Sequence, residues 1–141
     1  MTPEGKVKLK VRRWLKDNMP GAWLYAAPGG TFGKAGTPDD IGLWRGRFFA
    51  VESKADRGCT LTDLQRKTLM RMKGQGAIVA ALFGFEEKKL VYIRDAIIQS
   101  TPHWEYAHDT SSTVRGIRLA DPSGRLAVSA PEGDDTVPAD E

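Results

Sequence analysis

The 141-residue sequence has one cysteine, two histidines and no apolar run near the roughly 18 residues that a membrane span requires. The lone Cys59 excludes an internal disulfide framework and a cysteine-based zinc site. His103 and His108 have no companion cysteine, and a pair of that kind belongs to a surface more readily than to zinc. The opening residues, Met1 to Lys6, lack the apolar core of a secretory signal. The length is short for two ordinary domains, yet enough for one that folds without a disulfide or a metal. The expectation is a soluble protein of the cytoplasm with no membrane partner.

Acidic residues are unevenly spread. The last 21 positions hold six of them and one basic residue, a net −5, which leaves residues 1–120 at +8. The expected division is therefore a single folded domain over 1–120 and a flexible acidic tail over 121–141. A body of that charge suits a nucleic-acid partner, because phosphates attract clustered cations at long range, although many basic proteins have no such partner.

The periodicities outline a mixed α/β domain. Val7, Val11, Trp14 and Leu15 form one apolar stripe on a helix over residues 4–17, with Thr2 as its cap and Pro3 at its first position. Ala22–Ala26 reads as a short strand, and a glycine-rich loop follows from Pro28 to Pro38. Residues 39–44 and 47–54 read as a hairpin turning at Arg45-Gly46. Thr62–Lys73 reads as a second helix, and Ala77–Phe85 as a buried central strand. Leu90–Ile93 is expected to be a strand and Arg94–Gln99 a short helix, with one more strand drawn from the region of Trp104 to Leu119. Trp14 and Trp23 are expected in the core, and Trp44 is placed to pack at a partner interface.

The hairpin carries the chemistry. With Arg45 and Gly46 as the turn residues, paired positions sum to 91, and Asp39 stands opposite Glu52. Directly paired residues share a face, with Cβ atoms about 4.5–5.5 Å apart. Lys54, two residues beyond Glu52, projects from the same side. A one-residue slip of register would break that pairing. Two carboxylates and an ammonium at one point suit Mg²⁺-assisted phosphodiester hydrolysis, since Mg²⁺ binds through one or two carboxylates and completes its shell with water and phosphate. The same residues also fit an ordinary ion pair on an exposed strand.

Gly36-Thr-Pro-Asp39, Val51-Glu-Ser-Lys54, Leu61-Thr-Asp-Leu-Gln65 and Gly76 before an apolar strand occur in that order. Together they resemble the VRR-NUC branch of the PD-(D/E)XK nuclease superfamily, over about Glu4 to Phe85. The resemblance implies a restriction-endonuclease-like α/β core, a mixed β-sheet flanked by helices. It also implies a DNA endonuclease using Mg²⁺ or Mn²⁺, with Asp39 and Glu52 as metal ligands and Lys54 as the catalytic lysine. Glu4 matches an acidic residue presented to the metal from the first helix, and it also suits the helix dipole at a first turn. Gln65 would sit beside the active site, and with Thr62 it forms a capping box as well. Small stand-alone proteins of this branch are typical of bacteriophages, act in the bacterial host and commonly form homodimers suited to branched DNA such as a Holliday junction. Ser53, where an apolar residue is common, and Asp63, where proline is frequent, depart from the pattern without removing a chemical group. Lys6, Lys10, Arg13, Lys34, Arg66 and Lys67 are the cations placed to meet a DNA backbone. The alternative is a non-catalytic DNA-binding module that keeps the fold.

Overall fold

Helix α1 (Pro3–Asn18) starts where the sequence predicts, with the Thr2 hydroxyl accepting the Gly5 N–H at 3.1 Å and Pro3 at the first position. A computed structural model describes residues 1–28 and 33–101. After α1 come β1 (Trp23–Ala26), β2 (Asp40–Trp44), β3 (Arg47–Lys54), α2 (Asp63–Gly74), β4 (Ile78–Phe83) and α3 (Glu87–Ser100). The strand expected near Trp104–Leu119, both histidines, the acidic tail and part of the glycine-rich loop lie outside the described residues. Among those residues no helix is long and apolar enough to cross a membrane.

The four strands form one mixed sheet in the order β1-β2-β3-β4, antiparallel through β3, with β4 parallel to β3. The β2–β3 turn has Arg45 at φ 51° and Gly46 at φ 73°, the paired positive values of a two-residue turn whose twist matches the strands. Val7, Val11, Trp14 and Leu15 of α1 are all buried, as the stripe requires, against Phe49 and Val51 of β3, Leu82 of β4, and Leu90, Ile93 and Ile97 of α3. Helices α1 and α3 therefore cover one face. Side chains alternate along β3, so Glu52 points to the opposite face, where α2 reaches it.

Four expectations are corrected. Residues 87–100 form one helix, not a strand and a short helix, because Leu90, Ile93 and Ile97 share a stripe only at helical spacing. On a strand, Leu90 and Ile93 would face opposite ways and one would lose burial worth roughly 1.5–3 kcal/mol. Strand β4 is an edge of the described sheet and mostly half-buried, since no described segment pairs on its far side. Trp23 is 58% exposed, because β1 is the other edge and all four of its residues are exposed. Trp44 packs against the core of its own chain and donates its indole N–H to the Pro20 carbonyl at 3.0 Å.

Gly42 faces Phe49 across the hairpin, and a Cβ there would come within 2.2 Å of the Phe49 ring edge at Cζ. Gly42→Ala is expected to destabilise the fold by about 1–3 kcal/mol, read as a drop of several degrees in a thermal melt.

Candidate active site

The register is the one that the turn predicts. Asp40 pairs with Val51 and Trp44 with Arg47, so Asp39, one step before β2, stands opposite Glu52. Ser53 lies past the end of that ladder, and its N–H donates instead to Asp39 Oδ2 at 2.9 Å. The Asp39 carbonyl accepts the Ala27 N–H at 2.9 Å, which ties the loop end to β1.

Glu52 is the centre of the site. It is 2% exposed, and its Oε1 accepts a hydrogen bond from Gln65 Nε2 at 2.5 Å and lies 3.1 Å from Lys54 Nζ. Its Oε2 is buried with no hydrogen-bond partner. Burial, and then the nearby Asp39 charge, raise the Glu52 pKa above its ordinary value; Lys54 and the Asp39 backbone N–H oppose this only in part. Gln65 keeps both of its expected positions at once. Its Oε1 accepts the Thr62 N–H at 2.9 Å in a complete capping box while its amide nitrogen holds Glu52.

Glu4 reaches this neighbourhood through Lys8, whose ammonium is 2.7 Å from both Glu4 Oε1 and Asp39 Oδ1. Burial works against the Lys8 charge, but its bonds to Asp39 and Glu4 outweigh that and raise its pKa above 10.5. One turn on, Arg12 Nε donates to Asp40 Oδ1 at 2.6 Å. Asp40 is buried on the α1 side with Oδ2 unpartnered, and burial raises its pKa despite Arg12. Sequence reasoning missed Lys8 and Arg12. The signal was the run Glu4, Lys8, Arg12 at four-residue spacing, which puts one stripe of α1 opposite the Asp39-Asp40 pair.

Lys8→Met is expected to lower the metal-free melting temperature by a few degrees, because it leaves Glu4 and Asp39 without their common counter-ion. The rise in melting temperature on adding Mg²⁺ should be larger in the variant than in the unaltered protein.

The remaining cations are spread more widely. Lys34 lines both a cleft bounded by α2 and a smaller groove holding Lys8, Arg12 and Asp39. Lys6, Lys10 and Arg13 are exposed on α1, and Lys67 is exposed on α2. Arg66 is also exposed, paired with Asp63 at 3.2 Å. None of these five contacts Asp39 or Glu52 through a hydrogen bond or ion pair.

A divalent cation fits this donor set. Glu52 Oε2 is a buried carboxylate oxygen without a partner, and Asp39 lies close enough to raise the Glu52 pKa by its charge. Among the described residues no three of His, Cys, Asp and Glu gather at one point. Mg²⁺ is commonly bound through one or two carboxylates beside substrate phosphate, so a pair such as Asp39 and Glu52 would be enough to hold it.

No family model matches the chain, and no curated protein does. A solved structure described as a VRR-NUC domain is similar to it with a TM-score of 0.51 and 21% identity, covering 74% of this chain and 100% of that one. The chain has a VRR-NUC fold. In this VRR-NUC fold the hairpin and α2 supply the residues of the site, and α1 adds Glu4 and Lys8 from the side.

The two raised carboxylates set the sign of a pH effect. Above their ordinary values, 4.5 for Glu52 and 3.8 for Asp40, folded protein holds protons that the unfolded chain has lost. Stability therefore falls as pH rises through the window from those values to the raised folded ones. In EDTA, the urea midpoint is expected to be higher at about pH 5 than at about pH 7.5, and Glu52→Gln should flatten the difference.

Proposed function

We propose that this protein is a metal-dependent DNA endonuclease of the stand-alone, phage-type VRR-NUC kind, hydrolysing phosphodiester bonds in the cytoplasm of a bacterial host. The observation that carries the reading is Glu52. A nearly inaccessible carboxylate is held by Gln65 and Lys54 beside Asp39, with one oxygen unpartnered, on a nuclease-like fold. A module that only binds DNA has no use for a charge buried at that cost.

Asp39 and Glu52 would hold Mg²⁺ or Mn²⁺, with Glu4 joining them once released from Lys8. The bound metal supplies a polarised phosphoryl oxygen and an acidified water. Gln65 fixes the Glu52 carboxylate so that Oε2, not Oε1, is left for the site. Lys54 positions the attacking water and offsets charge that develops on the phosphoryl oxygens. Lys6, Lys10 and Arg13 of α1, Arg66 and Lys67 of α2, and Lys34 hold the backbone on either side and contribute affinity without sequence readout. A homodimer with two such sites would act on branched DNA such as a Holliday junction.

The test is incubation of purified protein with plasmid and with branched DNA in Mg²⁺, Mn²⁺ or EDTA. Cleavage in metal alone, lost in Asp39→Asn, supports the reading. DNA retention without cleavage in any metal would favour the binding module.

A further inference from the structure

We propose that the cleft between the β2–β3 hairpin and α2 seats an unpaired nucleotide next to the phosphodiester to be cut. The inference rests on the nuclease reading and deepens it, since it makes DNA with a single-stranded element the preferred substrate.

The cleft has a volume of about 790 Å³ and is walled by Phe48, Leu64 and Met72, with Lys34, Arg47 and Arg71 around them. Among the described residues no aspartate or glutamate lines it. Apolar surface ringed by cations matches a base and its flanking phosphates, and pockets of this size hold single small molecules rather than a duplex. Arg47 Nε is buried with no hydrogen-bond partner, so one of these guanidinium groups has an unspent donor. Beside the cleft, in the adjoining groove, Gly36 sits at φ +80°, where a Cβ would come within 2.6 Å of Leu64. Only glycine lets the loop before Asp39 lie that close to α2.

The position links the cleft to the chemistry. Pro38, bonded to Asp39, lines the cleft, and Lys34, Ala35 and Thr37 are shared with the groove that contains Asp39. Phe48, Glu52 and Lys54 alternate onto one face of β3, so the cleft wall and the proposed catalytic groups look the same way. Further out on that face, Leu43 and Trp23 continue an exposed apolar surface, and the Trp23 and Tyr25 rings lie parallel at 6.1 Å. A paired base would have to leave its stack to enter the cleft, which costs energy. A base already free at a flap or junction pays no such cost and gains the stacking.

The experiment is fluorescence anisotropy in EDTA with the full chain and three labelled DNAs: a single strand, a blunt duplex, and a duplex carrying an unpaired flap. Phe48→Ala and Arg71→Gln alter exposed side chains, and circular dichroism checks their folding. Both are expected to weaken single-strand and flap binding roughly five- to hundredfold while changing duplex binding less than twofold. Equal losses on all three DNAs, or no loss, would overturn the proposal. So would a dimeric wild type that either substitution renders monomeric by light scattering, since that face would then be a subunit interface. Cleavage is assayed separately in Mg²⁺. Discrimination without cutting would sink the nuclease reading and leave the subsite standing, whereas cutting without discrimination would do the reverse.

Discussion

Asp39→Asn protein should cut DNA at least about a thousandfold more slowly than the unaltered chain in saturating Mg²⁺. In the proposed role Asp39 is a charged metal ligand, whose loss would remove several kcal/mol of transition-state stabilisation, and each 1.36 kcal/mol is about tenfold in rate. The substitution is close to isosteric. The asparagine carbonyl oxygen can still accept the Ser53 N–H, and Lys8 keeps Glu4 as a counter-ion. Folding should therefore survive, with a melting temperature within a few degrees of the original and the far-UV spectrum unchanged. Removing one negative charge also relieves Glu52, whose pKa is raised in part by Asp39. The variant should thus lose activity while keeping, or slightly gaining, metal-free stability. Full cleavage by Asp39→Asn under single-turnover conditions would remove this residue from the site.

The second large effect is expected from Lys54→Ala, a fall in kcat of about a hundred- to ten-thousandfold, the range typical of a positioned group that assists proton transfer. The geometry adds a complication. Lys54 is 3.1 Å from Glu52 Oε1, so its removal takes away the ammonium that opposes the raised Glu52 pKa. Metal affinity should weaken at the lower of two pH values, because Glu52 stays protonated to a higher pH, and recover at the higher one. Turnover should not recover with it. Calorimetric Mg²⁺ titration at the two pH values, beside single-turnover cleavage at saturating metal, separates the two roles. If raising the pH restored both, Lys54 would act only through Glu52, as a positioning residue.

Much of the site was legible because a hairpin with a two-residue turn has arithmetic. Once Arg45-Gly46 is the turn, the positions opposite Glu52 and Lys54 follow, and the observed register agrees. The capping box at Thr62 and Gln65 was legible for the same reason, since both partners lie within one helical turn. That Gln65 also holds Glu52 is a contact across thirteen residues, and no local pattern announces it. Lys8 looked like one more solvated lysine among several on α1. Its neighbours Glu4 and Asp39 identify it only after α1 is laid against the sheet. The misread region 87–100 failed for a different reason: a short apolar run suits a strand until Ile97 is counted with Leu90 and Ile93.

By itself the sequence determined the local pieces, namely which residues cap α1 and α2, where the hairpin turns, and therefore that Asp39, Glu52 and Lys54 belong to one face. These depend on backbone periodicity and on hydrogen bonds between near neighbours, both of which a linear pattern encodes. Tertiary structure decided the environment of those groups. Packing α1 and α3 on one face buried Asp40 with Arg12, and placing α2 on the other buried Glu52 against Gln65 and opened the cationic cleft beside it. Burial and long-range charge depend on which surfaces meet, and a side chain's pKa, its unpartnered oxygen and its cleft exist only once they do.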